Sequence, residues 1–221
     1  MNFPYDRLAE VWLWACGILF ALGLVWASLG APWGRFMDRA FSHVFFGSCV
    51  GLLVLWAINA NGVPGLDYHF LGATLATLMF GWRLAVMALA IVLLANAIEG
   101  SVAWSSVPVL GLLLVLLPVG LSHAIYRWVD RRLPNHLFVF IFLNAFFGAA
   151  VALGLSLLAA VGMLWLSGQS ELQGMAGEYA RFLPLMLFPE SFITGALITM
   201  MVIFRPEWVS SFDDDRYLKG P

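Results

Sequence analysis

Residues 69–98 read HFLGATLATLMFGWRLAVMALAIVLLANAI. Two apolar runs, His69–Trp82 and Leu84–Ile98, about 14 and 15 residues long, meet here at Gly81-Trp82-Arg83. Read as one long tilted helix they give the chain six membrane spans; read as two they give seven. A helix needs about 20 apolar residues to cross roughly 30 Å of hydrocarbon, so each run alone is short. The remaining runs are unambiguous: Leu8–Gly30, Arg39–Asn59, Val107–Val129, Leu137–Ser167 and Phe182–Phe204. All are continuous rather than alternating, which points to helices and not to barrel strands. Leu8–Gly30 is too long for a signal-peptide core and no A-x-A site follows it, so it reads as a retained helix.

Charge distribution chooses seven spans. With the N-terminus outside, the inner segments hold Arg35, Arg39, Arg83, Arg127, Arg131, Arg132, Arg205, Arg216 and Lys219, leaving only Arg7 and Arg181 outside. Cytoplasmic segments carry such an excess of basic residues. Six spans would divide them more evenly. Trp33, Trp104, Trp128 and Trp208 stand near span ends, where interfacial aromatic belts form. The expected fold is therefore all-α: a polytopic transmembrane helix bundle of about seven spans, with a cytoplasmic C-terminus.

Composition agrees. Of 221 residues, 62% are hydrophobic and 11% charged, and the mean hydropathy is +0.90. A soluble domain is about half apolar and a quarter charged, so a water-soluble globule and a nucleic-acid-binding domain are excluded. The partner for most side chains is the lipid bilayer, and the expected location is the cell inner (plasma) membrane, multi-pass. Residues 1–221 form a single integral membrane domain, with a loop Gly168–Ala180 and a short acidic cytoplasmic tail, 205–221, as the soluble pieces. Asp213, Asp214 and Asp215 read as a solvated acidic turn. Cys16 and Cys49 lie in apolar runs and read as small buried hydrophobes.

Ionisable groups inside spans are costly and so are candidates for function. Asp67 and His69 stand at the outer mouth of the third span, and Glu99 closes the fourth on the same side, with Asn96 a turn deeper. Glu190 lies about nine residues into the last span, after Pro184 and Pro189. Proline frees a carbonyl about four residues back, and interrupted helices at membrane depth line cavities. A carboxylate there is protonated, paired or cation-bound; the alternative for Glu190 is an interhelical hydrogen bond from its neutral form. His69 opens a segment of small residues, Gly72 to Thr77, which lets helices approach closely. Imidazole is the commonest side-chain ligand of transition metals; the alternative for His69 is a hydrogen bond to a loop. His43 and His123 lie near cytoplasmic span ends, with Asn144 at similar depth. Two imidazoles at one depth also suit bis-histidine haem ligation, so an intramembrane redox or haem-binding protein is the alternative reading.

There is no G-x-x-x-x-G-K-[ST] loop, H-E-x-x-H or G-x-S-x-G, and no cysteine pair at metal-clip spacing. The chain is expected to bind no nucleotide and to be no enzyme.

The stretch Pro64-Gly65-Leu66-Asp67-Tyr68-His69-Phe70-Leu71-Gly72-Ala73-Thr74-Leu75, then Phe80-Gly81, Glu99-Gly100 and Pro189-Glu190-Ser191-Phe192-Ile193-Thr194-Gly195, resembles one family in its order of features. That is the CbiM/NikM family, the cobalt- and nickel-specific substrate-binding membrane subunits of energy-coupling-factor transporters. The resemblance covers roughly residues 35–205. It implies capture of a divalent transition metal as substrate, with separate ATPase and coupling transmembrane subunits. His69 stands where that family has a metal-binding histidine. The family's other ligands come from an N-terminus beginning Met-His, whereas this chain begins Met1-Asn2-Phe3-Pro4 and offers its amino group and a backbone amide instead. Asp67 replaces the family's serine and adds an anionic ligand that favours harder ions. The candidate metal set is His69, Asp67, Glu190 and Glu99.

Overall fold

The computed structural model describes residues 8–58, 60–63, 66–68, 70–168 and 170–217. The elements are α1 (Glu10–Leu29), α2 (Arg39–Ala57), strands β1 (Ala60–Val63) and β2 (Leu66–Tyr68), α3 (Ala73–Phe80), α4 (Trp82–Glu99), α5 (Trp104–Arg132), α6 (Leu137–Leu166) and α7 (Ser170–Phe204). The fold is the expected all-α bundle, with one small antiparallel hairpin in which Asn61 faces Asp67.

Six helices are long and apolar enough to cross a membrane: α1, α2, α4, α5, α6 and, within α7, Leu183–Phe204. The seventh, α3, differs from the expected run His69–Trp82. It has eight residues and rises only about 12 Å at 1.5 Å per residue. Glycines at positive φ bound it, Gly72 at 66° and Gly81 at 80°. Left-handed backbone is cheap only for glycine, and at Gly72 a side chain would also strike Leu52. Every residue of α3 is buried. It is the innermost helix of the bundle.

Six helices are of membrane-crossing length, and together with the short α3 the seven alternate in direction. At one end of the bundle Arg83 of α4 donates to the Gly30 carbonyl after α1. There the chain following α7 reaches the end of α3, where Ser210 N and Ser211 N donate to Met79 O and Leu78 O. Tyr126 of α5 donates to Ser211 O, and Phe140 of α6 packs on Phe212 and Tyr217. Odd-numbered helices finish at this end and even-numbered ones start there. It carries eight of the nine arginines and lysines expected to share a side; the ninth, Lys219, lies outside the described residues. We refer to it as the basic end.

Large apolar side chains cover the outer faces, among them Trp14, Leu22, Trp26, Val50, Phe147 and Phe188. Over so much of the surface these are the contacts of lipid, not water, and the chain is a multi-pass membrane protein. Exposed Trp33, Trp104 and Trp128 fit the aromatic belts. Cys16 and Cys49 are buried free thiols.

Two expectations are corrected. Gly168–Ala180 is not a loop: from Ser170 onward it is helical and continuous with the last span. The tail is not wholly solvated. Val209, Phe212 and Tyr217 are buried, and Arg216 pairs with Asp130 at 2.7 Å. Asp213 and Asp215 remain exposed, as an acidic turn requires. Burial raises the Tyr217 phenol above its ordinary pKa, and the neighbouring Tyr126 and Asp130 add to that.

Candidate functional site at the start of the buried half-helix

A helix leaves its first N–H groups without intrahelical partners. For most of the spans they face the water interface; for α3 they open into the interior. Gly72 stands at the N-cap position and brings no side chain to cap them. What α7 holds instead is the pair of N–H groups leading into the helix, those of Leu71 and the N-cap Gly72. Glu190 Oε1 accepts from Gly72 N and Oε2 from Leu71 N, each at 2.9 Å. Glu190 is only 4% exposed. A carboxylate accepting two backbone N–H groups makes strong hydrogen bonds, and its charge complements the positive end of the helix dipole. On the other side α2 holds the same turn, as Trp56 Nε1 donates to Leu71 O at 3.1 Å. Residues 71–72 are thus gripped by two helices, α2 just before them in the chain and α7 far beyond them.

Below this turn lies a seam of hydroxyls. Thr74 and Ser122 share a hydrogen bond of 2.7 Å between α3 and α5, and Thr77 bonds back to Ala73 O. Thr194, one turn beyond Glu190 on α7, is also buried. Asn144 sits in a π-helical stretch of α6, Phe140–Phe147, and its amide meets no hydrogen-bond partner among the described residues.

The four residues expected to bind metal are placed unequally. His69 lies outside the described residues, two positions before Leu71 in the chain. Asp67 is in β2, opposite Asn61. Glu190 is buried and committed to the α3 turn. Glu99 is exposed at the end of α4. Since α4 rises about 27 Å from the Gly81 junction and α3 about 12 Å, Glu99 and the Glu190 turn stand at depths roughly 15 Å apart. Among the described residues no three His, Cys, Asp or Glu side chains gather as a ligand set. The imidazoles of the haem alternative lie in different settings: His43 is exposed on α2, and His123 packs against Trp82 with ring centroids 6.1 Å apart.

Sequence reasoning missed Trp56, Leu71 and Gly72 as members of this site. The two N–H donors belong to the backbone, which every residue but proline carries, and no residue pattern advertises them.

The architecture has solved counterparts. It superposes on a structure described as a truncated transition metal transporter with a TM-score of 0.75, at 17% identity, over 92% of this chain and 99% of that one. A second structure, described as a transition metal transporter, gives 0.72, also at 17% identity, over 91% and 92%. At such identity the likeness establishes the fold. No curated protein matches. The family model CbiM, described as cobalt uptake substrate-specific transmembrane region, matches residues 3–208. The chain belongs to this family, and is a membrane component of metal uptake.

Proposed function

We propose that the chain is the substrate-capture subunit of an energy-coupling-factor-type transporter in the cell inner membrane. Its substrate is a divalent transition metal ion of the cobalt and nickel kind, taken from the outside. Separate ATPase and coupling subunits supply the energy. The basic end faces the cytoplasm, by the positive-inside rule.

The single observation that carries this reading is the Glu190 grip on Leu71 and Gly72. It fixes the chain immediately after His69, and supporting hydrogen bonds of this kind set the orientation of metal ligands. His69 is the imidazole ligand, Asp67 the nearest carboxylate in sequence, and exposed Glu99 a first contact at the outer mouth. Glu190 has two of its roughly four acceptor sites occupied, and we assign it to positioning the ligand-bearing segment. This refines its reading from sequence as a ligand.

Titration of purified protein with nickel, cobalt, copper, zinc and manganese tests the reading. Wild type binds one ion, and affinity weakens as pH falls through the imidazole range near 6.5, because a protonated ligand cannot bind metal. His69→Ala loses that response. Identical responses from the two proteins would remove the metal-capture reading.

A further inference from the structure

At the basic end a crevice follows three elements in step. Its mouth, a cavity of about 370 Å³, is lined by Arg35 and Asp38 before α2, by Phe80 at the end of α3, and by Arg205, Glu207 and Trp208 after α7. A second cavity of about 230 Å³ is lined by the next turns of the same helices: Gly51 and Leu55 on α2, Leu75 and Ala76 on α3, Leu197 on α7. Met79 and Phe80 line both. The two are therefore neighbours along the same three elements, the first polar towards the basic end and the second apolar. From Val44 to Leu55, α2 rises about 16 Å, close to half of a roughly 30 Å hydrocarbon layer.

The mouth is charged on both signs. Arg35 stands over the Phe41 ring at 4.4 Å. Arg205 and Glu207 form a loose exposed pair, 3.5 Å apart. Asp38 caps α2 through one oxygen, accepting from Ala40 N at 2.9 Å. Two guanidinium groups suit a phosphate, which arginine binds through paired N–H donors. Two carboxylates beside them suit an ammonium with hydrogens to donate. Trp208 stands at the interfacial depth where tryptophan favours headgroups.

We infer that this groove is a binding site for one aminophospholipid of the phosphatidylethanolamine kind. The phosphate lies on Arg35 and Arg205, the primary ammonium on Asp38 and Glu207, and one acyl chain runs between α2, α3 and α7. Gly51 leaves the chain its space, since a Cβ built there meets nothing within 4 Å. The lipid thus covers one flank of α3, whose opposite end carries the Glu190 turn.

Native mass spectrometry of the full chain in detergent tests this, with added phosphatidylethanolamine, phosphatidylcholine or phosphatidylglycerol as probes. Wild type retains one phosphatidylethanolamine per chain and keeps the other two lipids less. In R35A/R205A retention falls by at least about tenfold, since both charge-assisted contacts to the phosphate are lost. G51L fills the apolar part without touching a charge and lowers retention similarly, in a protein that stays monodisperse. Equal retention of all three lipids overturns the proposal. So does retention unchanged in either variant, or a doubled mass showing a second copy of the chain on this face.

Discussion

The two ends of α3 are held by the same stretch of chain in opposite ways. At its start, Glu190 of α7 supplies a buried carboxyl group to the N–H groups of Leu71 and Gly72. At its finish, the extension beyond α7 supplies neutral backbone donors, Ser210 N and Ser211 N, to Met79 O and Leu78 O, and the Ser211 hydroxyl adds a bond to Leu78 O. Both ends face the same problem: a helix of eight residues has most of its terminal groups unpaired, and lipid offers them nothing. The end near water is closed by exchangeable backbone contacts. The end at membrane depth is closed by a side chain that satisfies two donors at once. The costly solution stands at the turn that follows position 69 in the chain, the metal ligand proposed above.

Glu190→Ala tests that contrast most severely. It orphans two donors where water does not reach, each worth roughly 1–3 kcal/mol, so thermal unfolding in detergent should fall by about 3 kcal/mol or more. Glu190→Gln keeps one acceptor and turns an amide N–H₂ towards the second donor, so an intermediate loss is expected. Gly72→Ala comes next. Left-handed backbone costs a non-glycine residue roughly 1–2 kcal/mol, and displacement of Leu52 adds to it. Trp56→Phe keeps most of the buried ring and removes one hydrogen bond, for about 1 kcal/mol in the same assay. Ser211→Ala is the smallest change. Its backbone N–H still pairs with Leu78 O, so a loss below about 1 kcal/mol is expected. A Ser211→Ala effect as large as that of Glu190→Ala would erase the distinction between the two ends.

Much of this was legible in the sequence, for identifiable reasons. Continuous apolar runs mark the six helices of membrane-crossing length, because lipid acts on composition. The limits of α3 were not legible. The run from His69 to Trp82 is apolar throughout, and hydropathy does not distinguish a turn buried in protein from a helix in lipid. Gly72 and Gly81 marked the true limits, but glycine is also common inside membrane helices. The segment after Gly168 contains Gly174, Gly177 and two glutamates, which disguise its helical character. Its Glu, Leu, Gln, Met and Ala residues are good helix formers, and they prevail. In the tail, Val209, Phe212 and Tyr217 were the overlooked signal: apolar residues spaced among aspartates are docking residues. Glu190 was legible as a buried acid needing a partner. The partner's identity was not, because backbone donors leave no trace in the residue pattern.

The central claim is that the buried acid at position 190 presents the segment bearing His69 to a metal ion. Nickel and cobalt titration of Glu190→Gln beside wild type, on protein shown to be folded by its unfolding transition, tests it most directly. The account predicts an affinity at least about tenfold weaker, a loss near 1.4 kcal/mol, with the same pH response, because the imidazole remains the titrating ligand. Wild-type affinity in folded Glu190→Gln would contradict it.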